Sequence, residues 1–201
     1  MQNNLIKNLN LRGFIAKYFR NSELAVQYIL KTIPQKDSVA FGGSETAAHL
    51  KIAELLLERG NTLLHKGYMT EGRTAASVMR DALNADWYIS GINALTASGG
   101  IVNTDGRANR VASTLYGPQN VLFVAGKNKI VNDIGDAIER VRKVAAPLNC
   151  KRLGYDHPCT EGEGCSLCDP KTTICRATVI HHHPTSGKSV YVVLIDEELG
   201  F

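Results

Sequence analysis

The stretch SVAFGGSETAAHLKIAELLLERGNTLLH, residues 38–65, decides the fold class of this chain. Residues 38–41 are a short run that favours a β-strand, and two glycines follow it at once. Ser44 is a residue type that caps helices, and the apolar side chains after it recur with helical spacing up to Leu57. A second short strand is predicted at residues 62–65. This β-α-β order is typical of a parallel sheet with a right-handed crossover.

Helical patterns and short apolar runs alternate in the same way further along the chain. We predict a helix over residues 73–83 and another that begins after Asn132 or Asp133 and ends at Pro147. Strands are predicted at residues 86–90 and, as a buried apolar run, at 121–125. The β-α unit is therefore expected to repeat within one sheet.

Both ends of the chain are expected to extend this arrangement. An amphipathic helix is predicted within residues 3–19, and a second helix over residues 22–32 is closed by Pro34. The segments 177–183 and 189–196 flank the turn-like PTSGK, which predicts a hairpin that extends the sheet. The prediction is one α/β domain over the whole chain, built on an open, mostly parallel sheet with flanking helices.

Composition excludes several classes of protein. The chain has 201 residues, 44% of them hydrophobic and 21% charged, which is typical of a globular domain. Its net charge is only +4, and its basic residues are interleaved with acidic ones. We therefore expect no nucleic-acid partner. No apolar run is long enough to span a membrane and the N-terminus has no secretory signal pattern, so a cytoplasmic protein is expected.

Three polar loops follow predicted strands, where open α/β sheets bind ligands. The first is FGGSET, in which Gly42 and Gly43 turn the chain, Ser44 caps the next helix, and Thr46 lies in its first turn. Free backbone N–H groups at such a helix start suit a phosphate or a carboxylate. A tight turn with a helix cap explains the same residues without any ligand, and no complete nucleotide-binding fingerprint is present.

The second loop is SGINALTASGGIVNTDGRANR, residues 90–110, and it concentrates hydrogen-bonding side chains. Its candidate ligand-binding and catalytic residues are Asn93, Thr96, Asp105, Gly106, Asn109 and Arg110. Asp105 with Gly106 also fits an ordinary tight turn, and Arg110 suits either a surface ion pair or a carboxylate clamp.

The third loop is AGKNK, residues 125–129, directly after the most apolar strand. Lys127, Asn128 and Lys129 suit an anion, although solvated lysines fit the pattern too. Because the carboxyl ends of parallel strands meet at one edge of a sheet, the three loops together predict a cleft for a small anionic ligand.

The segment CTEGEGCSLCDPKTTIC, residues 159–175, holds four of the five cysteines, within a predicted Cys-rich insertion at 150–176. Cys159, Cys165, Cys168 and Cys175 are candidate ligands of zinc or an iron–sulfur cluster, but only one C-x₂-C pair is present. A redox dithiol and reduced structural cysteines remain alternatives. Cys150 is expected to stand outside the site.

The order of FGGSET, ADWYISGINALTASGGIVNTDGRANRVASTLYGP, VAGKNKIVNDIGDAIERVRKVAAPLN and LIDEELGF resembles the LUD domain of lactate-utilization proteins. The resemblance covers the chain from about residue 38 to its end. It implies a Rossmann-like domain similar to the sugar-phosphate isomerase and CoA-transferase superfamily. In that superfamily the loops bind phosphate or CoA. Together with the polar loops of this chain, the resemblance predicts a small anionic metabolite that bears a phosphate, CoA or carboxylate group. The N-terminal helices within residues 1–34 are predicted from the residue pattern alone and precede the region of resemblance.

The resemblance leaves open whether the domain catalyses a reaction. If it does, Asp105 is the candidate general base, and Arg110 and Lys129 are candidate charge-stabilising groups. An alternative is a zinc or iron–sulfur accessory subunit of an oxidoreductase, since the family is associated with a separate iron–sulfur subunit. A homo-oligomer is a further possibility.

Overall fold

A parallel sheet of six strands organises the chain in a computed structural model that describes residues 2–68, 72–162, 164–165 and 168–201. The strands are β1 (Ile15–Phe19), β2 (Val39–Phe41), β3 (Leu63–Leu64), β4 (Trp87–Gly91), β5 (Ala94–Thr96), β6 (Ile101–Asp105), β7 (Asn120–Gly126), β8 (Ile130–Val131), β9 (Ala177–His181) and β10 (Ser189–Ile195). The six-stranded sheet has the order β1-β10-β7-β4-β2-β3, and every neighbouring pair is parallel. The predicted open α/β sheet is confirmed.

Helices flank this sheet, and short 3₁₀ turns at 66–68, 82–84, 127–129 and 158–160 connect the elements. The helices are α1 (Gln2–Leu11), α2 (Ser22–Thr32), α3 (Glu45–His49), α4 (Ile52–Glu58), α5 (Ala75–Asp81), α6 (Asn109–Leu115), α7 (Ile134–Arg140) and α8 (Ala146–Leu153). No helix in the described ranges is both long and apolar enough to cross a membrane.

The central strand β7 is buried on both faces, which explains its continuous apolar sequence. Val121 and Phe123 face a core shared with α1 and part of a second sheet, whereas Leu122 and Val124 face a core shared with α2, α3 and α4. Successive side chains of a strand point to opposite faces, so a run without polar residues suits only a strand that is covered on both sides.

The second sheet has four strands in the order β8-β5-β6-β9 and was not predicted. Residues 90–110, expected to be a loop, contain β5 and β6, which pair antiparallel. The many glycines and polar residues there mark short turns between the strands, such as the turn at Gly99, where φ is 91°.

The predicted C-terminal hairpin is wrong. β9 pairs antiparallel with β6 in the second sheet, whereas β10 lies between β1 and β7 in the first. The connection at residues 184–188 therefore passes from one sheet to the other. Strand patterns in the sequence identify both segments correctly, but their partners lie far away along the chain.

Three helix boundaries also differ from the prediction. The helix expected over residues 3–19 ends at Leu11, and Gly13, with φ of 93°, turns the chain into the edge strand β1. The helix after Ser44 is broken at Lys51, which adopts the left-handed conformation with φ of 52°. Pro147 does not end a helix, since a π-helical turn before it lets α8 continue to Leu153. The wider turn accommodates the proline ring and its missing N–H.

Candidate functional site

A cavity of about 630 Å³ opens at the carboxyl ends of β2 and β4. The structure brings most of the predicted site residues to it. Those that line the cavity are Gly43, Ser44, Thr46, Asn93, Asp105, Gly106, Asn109, Arg110, Lys129 and Cys175. The predicted residues absent from this lining are Gly42, Thr96, Lys127, Asn128, Cys159, Cys165 and Cys168.

Cationic side chains dominate the charge of the cavity wall. The described lining residues include seven lysines and arginines: Lys66, Arg107, Arg110, Lys129, Arg152, Lys171 and Arg176. Only two aspartates and glutamates, Glu45 and Asp105, oppose them, and Glu45 pairs with Arg152 at 3.2 Å. A concave wall with this imbalance creates a positive potential that attracts anions.

Arg110 is engaged by the protein itself. Its guanidinium donates to the side-chain oxygen of Asn103 at 2.9 Å, to the carbonyl of Thr104 at 2.6 Å and to the side-chain oxygen of Asn93 at 3.3 Å. These acceptors belong to β6 and to the turn after β4. The side chain therefore joins two segments of the cavity wall, a role that neither sequence alternative included.

Asp105 supports the same wall. Its Oδ2 accepts from the backbone N–H of Arg110 at 2.9 Å and of Val111 at 3.4 Å, at the start of α6. The residue that precedes this helix, Ala108, has φ of 60° and supplies no side-chain cap. Asp105 thus satisfies helix N–H groups, and its role as a general base stays a prediction.

Gly42 is a packing requirement of this site. A Cβ on Gly42 would lie 2.6 Å from Cγ of Arg110 and 2.9 Å from the hydroxyl of Tyr88, whereas a Cβ on Gly43 would meet nothing within 4 Å. Tyr88 is buried, and burial raises the pKa of its phenol. The first glycine of FGGSET therefore leaves the space that the side chains of Arg110 and Tyr88 occupy.

The C-terminal segment, residues 196–201, contacts residues of the predicted ligand loops. Thr46 donates to the carbonyl of Leu199 at 3.2 Å, and Asn128 donates to the carbonyl of Gly200 at 3.2 Å. Lys127 pairs with Asp196 at 3.3 Å. These three predicted ligand residues therefore form hydrogen bonds or an ion pair with the C-terminal segment. Local sequence patterns do not indicate such distant partners.

Ser44 and Thr96 also have local partners. Ser44 caps α3 as predicted, accepting from the N–H of Ala47 at 3.1 Å. Thr96 accepts from the N–H of Gly100 at 2.8 Å and closes the turn between β5 and β6. Ligand binding by either residue stays a prediction.

Lys129 differs from the other cavity cations because its side chain is buried. The residue is 1% exposed, lines the cavity, and has no hydrogen-bond or ion-pair partner among the described residues. Burial, together with the nearby Arg140 guanidinium, lowers the pKa of its amine to about 7. Arg140 is itself held by the carbonyls of Asn93 at 2.5 Å and Asn128 at 3.0 Å.

The end of the Cys-rich insertion forms one wall of the cavity. Residues 171–176 line it, and the N–H of Arg176 donates to the carbonyl of Asp105 at 3.2 Å. Gly106 packs so closely on this wall that a Cβ there would lie 3.0 Å from Cα of Ile174. The sequence predicts the insertion without assigning it to the cleft, whereas in the structure its end forms part of the cleft.

The cysteine side chains gather beside α8. Cys150, expected to stand outside the site, is buried and shares a hydrogen bond with Cys159. Burial raises the pKa of Cys150 to about 12, and Cys159 and Cys175 contribute to that rise. Within the described ranges, no group of three or more His, Cys, Asp or Glu side chains is arranged to hold a metal ion. The metal site thus stays a prediction.

Comparisons with known proteins agree with this architecture. The model of the LUD domain family, described as "LUD domain", matches residues 3–195. A solved structure of a DUF162 family protein from Deinococcus radiodurans is similar, with a TM-score of 0.55 and 15% sequence identity. That match covers 96% of this chain and 95% of the other, and at this identity it supports the fold alone. No curated protein has significant sequence similarity to the chain.

Proposed function

Because the chain belongs to the LUD domain family, we propose that it binds a small anionic metabolite in the cationic cavity as part of lactate or related organic-acid utilisation. Family membership supports a role related to lactate utilisation. The excess of seven lysines and arginines over two carboxylates in the described cavity wall is the observation that carries the proposal. Phosphate, carboxylate and CoA groups are the anions that such a wall suits.

Different cations of the cavity are available to a ligand to different extents. Arg110 is already used within the wall, and Arg152 is paired with Glu45. Lys66, Arg107 and Lys171 are exposed at the cavity, and their side chains have no hydrogen-bond or ion-pair partner among the residues that the structure describes. These three are therefore the rim groups expected to contact the charged part of the ligand.

A thermal-shift screen with sugar phosphates, CoA and hydroxy acids tests the proposal. At a hundredfold excess over Kd, a ligand adds about 2.7 kcal/mol of stability, which raises Tm by roughly 5–10 °C for a chain of this size. We expect Arg107→Ala to weaken the affinity for the hit about five- to tenfold, since it removes a charge-assisted contact.

The matched control is Lys7→Ala, which removes an exposed cation from α1, outside the cavity. It should leave the affinity unchanged. Equal weakening by both variants would show that only net charge matters, and an unshifted Tm across the whole panel would contradict the proposal.

A second candidate function is favoured by the gathering of thiols beside the cavity. Cys150 shares a hydrogen bond with Cys159, and Cys175 affects the pKa of Cys150. Cysteines of α8 and of the insertion therefore lie close together. Thiolates are good ligands of zinc and of iron–sulfur clusters. We therefore retain the proposal of an accessory subunit that holds such a group and accompanies an iron–sulfur oxidoreductase.

Anaerobic purification tests this second candidate. An iron–sulfur protein should be brown and contain iron and sulfide, and Cys165→Ser should abolish the colour. Stoichiometric zinc in a colourless protein would indicate a structural metal instead. Protein without either metal, whose thiols all react with a thiol reagent after unfolding, would eliminate the candidate.

A further inference from the structure

The buried position of Lys129 in the cavity calls for a chemical explanation. Lysine is among the residues least often buried without a charge partner, because desolvating an ammonium ion is costly. Here the side chain is 1% exposed and has no hydrogen-bond or ion-pair partner among the described residues. It nevertheless lines a cavity large enough for a small metabolite.

The charges around Lys129 also do not favour an ammonium ion. Arg140 is the one described charged group that affects its pKa, and this cation lowers it together with burial, to about 7. Asp105 lines the same cavity but has no such effect on Lys129. A large fraction of the side chain is therefore a neutral amine at neutral pH, and a neutral amine is a nucleophile.

We propose that Lys129 is a nucleophilic lysine that forms an imine with the carbonyl carbon of a small anionic aldehyde or oxo acid bound in the cavity. The inference rests on the proposed function, because the rim cations Lys66, Arg107 and Lys171 would hold the anionic group of that ligand. It narrows the ligand class to compounds that combine a carbonyl with a phosphate or carboxylate.

The reaction needs no oxidant, reductant or metal. The lone pair of Nζ attacks the carbonyl carbon, a C–N bond forms, and a proton passes from nitrogen to oxygen to give a carbinolamine. The C–O bond then breaks and water leaves, so that amine plus carbonyl gives imine plus water. Burial assists this step because it keeps the amine neutral and limits the water that would reverse it.

Pyridoxal phosphate is a suitable probe, because it carries an aldehyde and a phosphate on one small molecule. The intact chain is incubated with the probe, the imine is reduced with sodium borohydride, and the labelled lysines are mapped by mass spectrometry of peptides. We expect Lys129 to carry at least tenfold more label than the exposed cavity lysines Lys66 and Lys171. Inorganic pyrophosphate should protect Lys129.

Three variants separate imine formation from charge and from folding. Lys129→Met should abolish the dominant label while the chain remains folded, since removing an unpaired buried amine relieves a desolvation cost. Lys129→Arg supplies a cation that cannot form the imine, so it should lose the label yet retain pyrophosphate binding. Lys7→Met, which changes an exposed lysine of α1 outside the cavity, should keep the label on Lys129.

The outcomes distinguish this inference from the function on which it rests. Label that is spread over the exposed lysines, with Lys129 unmodified, overturns the imine even if anions raise Tm. Retention of the dominant label by Lys129→Met also overturns it. Strong labelling of Lys129 with no stabilisation or protection by any anion would support the nucleophile and contradict the anion-binding cleft.

Discussion

Arg110→Met is expected to lower the free energy of unfolding by about 2–4 kcal/mol, the largest effect of a single substitution that we predict. The guanidinium donates to Asn103, Thr104 and Asn93, and these acceptors lose a charged donor when it is removed. Methionine retains most of the aliphatic stem, so the loss reports the polar contacts rather than a cavity. Urea denaturation at neutral pH measures the effect as a lower midpoint with an unchanged m value.

Arg107→Met is the matched control for this experiment. Arg107 lies three positions earlier in the same turn, is exposed, and makes no hydrogen bond or ion pair with the described residues. Its substitution should change stability by less than about 0.5 kcal/mol. If the two variants were equally stable, Arg110 would not brace the wall, and its side chain would be available to a ligand instead.

Gly42→Ala is expected to destabilise the protein by about 1–3 kcal/mol and to weaken ligand binding, because the new methyl group overpacks the base of the cavity. Its Cβ would lie 2.6 Å from Cγ and 2.8 Å from Cδ of Arg110. These atoms belong to the middle of a side chain whose guanidinium is held by three acceptors, so they cannot move away freely. Chemical denaturation together with the thermal-shift response to the best ligand measures both effects.

Gly43→Ala supplies the comparison within the same loop. No atom lies within 4 Å of a Cβ at this position, and its φ is not in the left-handed region. The added methyl group should therefore cost less than about 0.5 kcal/mol. If both alanines destabilised the protein equally, the two glycines would be needed for their backbone conformation. That result would refute the packing role of Gly42.

Several elements were predictable because their signals are local. Ser44 begins a helix directly after a strand, and its side chain caps that helix in the structure. The apolar run within β7 indicates a buried strand, and β7 lies inside the parallel sheet. Asp133 caps α7, as one of the two predicted caps. In each case the residues that indicate the element are adjacent in sequence to those that form it.

Strand pairing is not predicted by the sequence pattern where the paired strands lie far apart along the chain. β9 and β10 are adjacent in sequence and look like a hairpin, yet each strand finds its partners elsewhere, β9 in β6 and β10 in β1 and β7. Likewise, residues 90–110 are rich in turn-forming residues, but β5 and β6 within them gain their stability from the second sheet. Strand propensity identifies a strand and carries little information about its neighbour.

The sequence by itself determined the α/β class, the family resemblance and the set of polar loops that meet at one edge of the sheet. Only the tertiary structure decided which of those polar groups are already used by the protein: Arg110 in the wall, Asp105 at a helix start, and Thr46 against the C-terminal segment. It also placed the end of the Cys-rich insertion in the cavity wall and left Lys129 buried there without a described partner. The physical reason is that the residue type determines which hydrogen bonds and charges a side chain can provide. Burial and distant partners determine which of them remain available to a ligand.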